Sequence, residues 1–194
     1  MGVRRRELLS IASLAGLAGS LPALAKEAPR EGPTSDLYRV DEPALIMAAA
    51  RAIIDEDYVG VLVTIDEDGM PRARPIGVAD PKDDWSLWMA TRRGSRKTLQ
   101  IAANPKAALH FGFDDTANNH AGSFYASFTG LASVHTDPEA ISEYGPSEKY
   151  RTNWPNYPND LVLIRLLPQR LEVMGKGIWP NESMWQPQGI LLAR

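Results

Sequence analysis

Residues 59–78 spell out a β-hairpin, and no other stretch restricts the fold as tightly. Val59-Gly60-Val61-Leu62-Val63-Thr64-Ile65 is short and β-branched, which favours a strand over a helix. Asp66-Glu67-Asp68-Gly69 follows, with glycine where a reversing chain needs positive φ. The return strand, about Met70 to Val78, puts Arg72, Arg74, Ile76 and Val78 on one face by period-two alternation. Further strands are expected from Trp85 to Thr91, Ala107 to Phe113, Ser123 to His135, Leu161 to Leu167 and Arg170 to Met174.

Three helices punctuate these strands. Asp41 can cap the first, with Glu42 and Pro43 in its first turn and Leu45, Ile46, Ala49, Ala50, Ile53 and Ile54 at helical spacing up to Asp55-Glu56-Asp57. Ser95 starts a second that runs through Gln100 to Ala103 and stops at Asn104-Pro105. Asp137-Pro138 opens a third, which Gly145-Pro146 closes. Tyr150 to Asn159 reads as an ordered loop carrying Trp154 and Tyr157. Gly177 to Arg194 reads as a C-terminal arm. Hairpins joined by short crossings predict a closed antiparallel barrel with helices packed outside it.

Composition removes several function classes. A net charge of −3 in 194 residues lacks the basic excess of nucleic-acid binders. With no cysteine there is no disulfide, thiolate metal site or thiol nucleophile. The histidines, His110, His120 and His135, have no metal-ligand spacing, so no metal site is expected. Asp55-Glu56-Asp57 and Asp114-Asp115 read as solvated turns, without the alternating ligands of a calcium loop.

The first 25 residues look like an export address. Arg4-Arg5-Arg6 precedes a mildly apolar run from Leu8 to Leu24, and Ala23-Leu24-Ala25 is a small-x-small cleavage site. Gly16, Gly19 and Pro22 interrupt the run, which weakens it as a membrane anchor. Arg5-Arg6-Glu7-Leu8-Leu9 resembles a twin-arginine motif, with Arg4 where Ser or Thr is usual. That route carries folded proteins, as export with a bound cofactor requires. The mature chain is expected in the periplasm or outside the cell, with no membrane anchor. Its loss of three arginines and Glu7 takes +2 from −3 and leaves a charge of about −5. Residues 26–40 form a lead-in rich in Pro, Glu and Gly, 41–176 the domain, and 177–194 the arm.

The chemistry concentrates between Arg72 and Phe111. After the strand that ends at Thr91 comes a turn, Arg92-Arg93-Gly94, and a helix start, Ser95-Arg96-Lys97. Unpaired amides and the helix dipole favour an anion there, above all a phosphate. Arg72 and Arg74, on the neighbouring strand, could close the other side with a bidentate guanidinium. By themselves these residues fit two arrangements: a phosphate grip, or a solvated basic loop with an ordinary serine cap.

The order of the pieces adds a resemblance. Arg-x-Arg-Pro at 72–75, Trp88-Met89-Ala90-Thr91, Gly94-Ser95-Arg96-Lys97, Gln100-Ile101 and Asn104-Pro105 before a strand that reaches Phe111 resemble the pyridoxamine-phosphate-oxidase-like, flavin-binding split-barrel superfamily. Within it, the branch with the general-stress-protein flavoproteins is the most similar. The resemblance spans about Val59 to Met174. It implies a mainly β fold with flanking helices, a six-stranded antiparallel split barrel of Greek-key type. It also implies a homodimer with flavin mononucleotide (FMN) between the subunits. By matched position, Arg74, Arg96 and Lys97 would reach the phosphate. Thr91, Ser95 and Gln100 would lie near the cofactor, and backbone groups of Pro75 and Ile76 along the ring edge. Arg72 joins the set through its shared face with Arg74.

Two departures argue against pyridoxamine phosphate oxidase activity itself. Ala79 stands where the oxidases carry a second basic residue, and the segment from Ile178 to Arg194 does not match their arginine-bearing end. An exported oxidoreductase acting on a small molecule is the leading expectation, since a flavin performs the electron transfer and the protein supplies binding and orientation. No residue is assigned as acid or base. Tyr125, Tyr150 and His110 qualify by type alone. Non-catalytic flavin or haem binding (His110 as a ligand) and a deazaflavin-dependent reductase are the alternatives. Trp179 and Trp185 read as lids or dimer contacts ahead of stacking partners.

Overall fold

The helical spacing of the first apolar segment is realised as α1, Pro43–Glu56, in the computed structural model of the protein, which describes residues 43–119, 122–178 and 188–192. Ile46, Ala49, Ala50, Ile53 and Ile54 are buried and pack on the sheet. Leu45, expected among them, is 53% exposed. It sits about 100° around the helix from the centre of that stripe, one residue step off the apolar face. The export segment, the lead-in, Asp41, His120, Trp179 and Trp185 lie outside the described residues.

Seven strands follow: β1 Val59–Ile65, β2 Pro71–Gly77, β3 Leu87–Arg92, β4 Lys106–Phe113, β5 Phe124–His135, β6 Leu161–Met174 and β7 Gln188–Leu191. Two helices lie between them, α2 Arg96–Ala103 and α3 Pro138–Tyr144. The strands form one antiparallel sheet in the order β2-β1-β4-β5-β6-β3, with β7 also paired to β6. The class is as expected, mainly β with flanking helices, but the strand count and the closure differ.

The seventh strand comes from the segment expected to be an arm. One long edge of β6 pairs with β5 throughout, and on its other edge β3 takes residues 161–166. Residues 188–191 cover Arg170 to Val173 on that same edge, and Ile190 is buried. An edge left open there would expose unpaired amides. The sequence predicts a break between strands at Pro168 and Gln169, yet β6 runs through them. The register slips between Thr129 and Gly130, so that Gln169 is the extra residue of a bulge, and Gly130 faces Pro168. Gly130 is required: a Cβ there would lie 2.1 Å from the Leu167 carbonyl oxygen.

The barrel is split because its end strands, β2 and β3, form no ladder. Just past β2, the Ala79 N–H donates to the Trp88 carbonyl of β3 at 2.8 Å. The hairpin register explains the separation. Met70 bonds Asp66 at one end and Val78 bonds Tyr58 at the other, so even-numbered residues of β2 hydrogen-bond to β1. The odd ones, Ala73, Pro75 and Gly77, turn their backbone groups toward the gap. Pro75 has no N–H to lose at that edge. Trp85, expected within β3, instead holds φ 57° in the turn before it. Inside the sheet, Leu62, Leu87, Met89, Leu109, Phe111, Phe128, Leu166 and Leu171 form the main core. Trp88, Ile141, Leu161 and Leu163 form a second cluster under α3.

Candidate functional site

The turn from β3 into α2 brings positive charge to the mouth of the split. Gly94 takes φ +69° with open space around it, and a side chain there would be strained. Ser95 occupies the position before the helix, but its hydroxyl makes no capping bond. Its Oγ is buried without a partner. The expected cap is thus only half realised: the Ser95 carbonyl accepts the Thr98 and Leu99 amides, while the side chain is held in reserve. The first-turn amides of Arg96 and Lys97 have no intrahelical acceptor, as at any helix start.

Arg74 arrives from β2. Its Nη1 donates to Thr64 Oγ1 at 2.6 Å and its Nη2 to Gln100 Oε1 at 2.9 Å. Lys97 Nζ donates to Thr91 Oγ1 at 2.9 Å. Burial, and then the charges of Arg96 and Arg72, hold the Arg74 guanidinium below its ordinary value. Burial, and then Arg74 and Arg96, do the same to Lys97. Arg74, Arg96 and Lys97 therefore feel one another, and no carboxylate among the described residues pairs with any of them. Three like charges, a buried free hydroxyl and unpaired amides are the chemistry of an anion site. Arg72 points to the same neighbourhood, but its Nε is bound to Asp66 Oδ2 at 2.5 Å, in the hairpin turn. Gln100 belongs to the cluster through its bond to Arg74.

From this cluster a groove of about 790 Å³ opens between β2 and β3. Pro75, Ile76, Thr91 and Lys97, all expected at the site, line it. Its other walls are aromatic. Trp88 and Tyr144 stack with ring centroids 4.0 Å apart and planes 5° from parallel. Trp154 holds its place by an Nε1 bond to the Thr91 carbonyl at 3.2 Å, and Tyr58 and Tyr150 complete the lining. The strand edge at Pro75 and Gly77 offers the groove backbone groups that β3 does not pair. A planar ring bearing donors and acceptors, with an anionic tail, fits such walls.

Sequence reasoning missed Thr64 and, apart from Tyr150, the aromatic walls. Thr64 is fully buried yet polar, and only the β1 register shows that it stands beside Arg74. Tyr144 reaches Trp88 across more than fifty residues, a contact no local pattern announces. Tyr125 and His110 lie away from the groove, 5.4 Å apart, on β5 and β4. Burial lowers the His110 pKa, and burial, then Glu172, pushes the Tyr125 hydroxyl up to about 12. A histidine whose pKa falls on folding binds fewer protons in the native state than in the unfolded one below its ordinary value. Stability should therefore drop as pH falls below about 6.5. His110→Gln should flatten that region of the curve in thermal melts from pH 7 to 5; an unchanged slope contradicts this origin. Asp114 and Asp115 are engaged in their own turn, with Ser123 and Asn118.

An open antiparallel barrel split between its end strands defines the split-barrel fold class. The sequence profile of the pyridoxamine 5'-phosphate oxidase family matches residues 46–175, and the chain belongs to that family. A curated relative, pyridoxine/pyridoxamine 5'-phosphate oxidase of Shewanella sp. (strain W3-18-1), is 39% identical over 90 residues, 42% of this chain and 42% of its own length. The chain thus spans under half of such relatives. Among solved structures, general stress protein 26 of Bacillus anthracis is similar with a TM-score of 0.56 and 23% identity, over 74% of this chain and 96% of that one. A pyridoxamine 5'-phosphate oxidase-related, FMN-binding protein of Nostoc punctiforme gives 0.54 and 16%, over 72% and 86%. A haem-binding protein of Mycobacterium smegmatis gives 0.58 and 16%, over 76% and 58%. These likenesses establish the fold.

Proposed function

We propose that the chain binds FMN in the β2–β3 groove and acts as an exported oxidoreductase on a small molecule. The observation that carries this reading is the Arg74–Arg96–Lys97 cluster, which has no carboxylate partner among the described residues, beside an aromatic groove that Lys97 lines. Lys97, Arg96, Arg74 and Ser95 would hold the phosphate. Pro75, Ile76 and Gly77 would present backbone groups to the ring, with Thr91 and Gln100 supporting the grip. A bound flavin supplies hydride or electron transfer; the protein binds it, orients it and shields it from water. No acid or base is needed from the chain for that role.

Pyridoxamine phosphate oxidation is not proposed. The family match ends at residue 175, Ala79 supplies no second cation, and the curated relatives match over less than half their length. We propose a homodimer because Tyr58 and Val59 line the groove and are 56% and 41% exposed. Exposed Val61 and Leu99 extend the apolar surface, and a second copy there would wall off the groove. Export folded, by the twin-arginine route, suits a protein that must load its cofactor first.

Haem binding is the reading that the Mycobacterium smegmatis neighbour favours. Among the described residues no imidazole lines the groove, and the phenol oxygens of Tyr58, Tyr144 and Tyr150 are the side-chain groups there that could meet haem iron. A deazaflavin carries a similar ring and phosphate. Titration of the purified protein with FMN should quench the fluorescence of Trp88 and Trp154 to saturation at one FMN per subunit. Quenching by haemin but not by FMN would reverse the order of the two readings.

A further inference from the structure

Thr64 has no contact with the groove, yet its hydroxyl sits in a closed triangle of hydrogen bonds. It accepts from Arg74 Nη1 at 2.6 Å and donates to Gln100 Oε1 at 2.7 Å. Gln100 Oε1 in turn accepts from Arg74 Nη2 at 2.9 Å. Thr64 lies wholly inside the barrel on β1, facing inward with Leu62 and Gly60. A buried hydroxyl in a β-branched side chain has few rotamers and a strong need for partners. The triangle joins three separate elements, β1, β2 and α2, at one guanidinium.

We propose that Thr64 is a positioning residue that sets the orientation of Arg74 for the phosphate of the bound cofactor. This rests on the phosphate reading of the site. Arg74 stands near Arg72, Arg96 and Lys97 and pairs with no carboxylate among the described residues, so repulsion drives its side chain outward unless neutral acceptors hold it. Thr64 and Gln100 are those acceptors. They take one proton from each Nη, Nη1 also reaches the Leu62 carbonyl at 3.5 Å, and Nε with the second Nη2 proton is left for a ligand. A neutral anchor leaves the guanidinium charge unspent, where a carboxylate in the same place would compete with the phosphate.

The test compares FMN with riboflavin, which has the ring and no phosphate, in binding titrations on the full mature chain. The wild type should bind FMN far more tightly than riboflavin. Thr64→Val keeps the shape and removes the hydroxyl. It should weaken FMN about tenfold, the size of one lost hydrogen bond to a charged group, and leave riboflavin within about twofold. Thr64→Ser should restore FMN binding, and Thr64→Val should cost nothing further in an Arg74→Ala background. In the absence of flavin, the rise in melting temperature on adding inorganic phosphate should shrink in Thr64→Val. If that variant does not fold, Thr64→Ala reads the same ratio. Equal losses for FMN and riboflavin would overturn the proposal and make Thr64 a packing residue. A wild type that binds both equally would instead remove the phosphate reading beneath it.

Discussion

The Arg96→Ala/Lys97→Ala double variant is expected to bind FMN on the order of 10² to 10⁴ times more weakly than the wild type. Each charge-assisted contact to a phosphate contributes roughly 1.5–3 kcal/mol, and each 1.4 kcal/mol is a factor of ten. The loss should not come from damage to the fold. Alanine is the best helix former, and both substitutions relieve repulsion on Arg74. Among the described residues, the side-chain hydrogen bond removed from the free protein is that from Lys97 to Thr91, about 1 kcal/mol. Melting temperature should therefore change little while affinity collapses. Retained affinity would mean that the phosphate lies elsewhere; a large drop in melting temperature would mean that the cluster is structural.

Phe128→Ala should destabilise the domain by about 3–5 kcal/mol, the usual cost of emptying an aromatic site in a core. Phe128 is wholly buried at the centre of β5. Its ring lies edge-on to Phe111, with centroids 6.2 Å apart, and stacks on Trp85 at 6.1 Å. These contacts join β4, β5 and the turn before β3, so little can collapse to fill the space. Urea denaturation checks it through the midpoint at constant slope. A loss below about 1 kcal/mol would show that the core repacks. Because Phe128 does not line the groove, FMN affinity of the folded fraction should stay near wild type.

The legible stretches of this chain are the local ones. The hairpin at 59–77, the α1 stripe and the glycine-hinged start of α2 are each written within about twenty residues and form as elements, with Leu45 off the stripe and the Ser95 hydroxyl not capping. Thr91 and Lys97 sit on one contiguous strand–turn–helix, Pro75 and Ile76 on β2, and all four were expected at the site through the family resemblance. What was not legible depends on partners far along the chain. β7 exists because β6 leaves half an edge open, and Pro168 stays within β6 because Gly130 on β5 lets a bulge form. The Ser95 hydroxyl looked like a cap, since a cap is what a serine there does by default. The fold instead buries it without a hydrogen-bond partner. Thr64 shows the same limit: in a β-branched run a threonine reads as one more strand former.

Whether the groove between β2 and β3 holds FMN by its phosphate is tested most directly by what copurifies with the protein. A yellow sample with two flavin absorbance bands, releasing FMN by mass on denaturation at up to one per subunit, is the expected result. A Soret band, a deazaflavin mass, or a colourless protein that takes up no added FMN would contradict it.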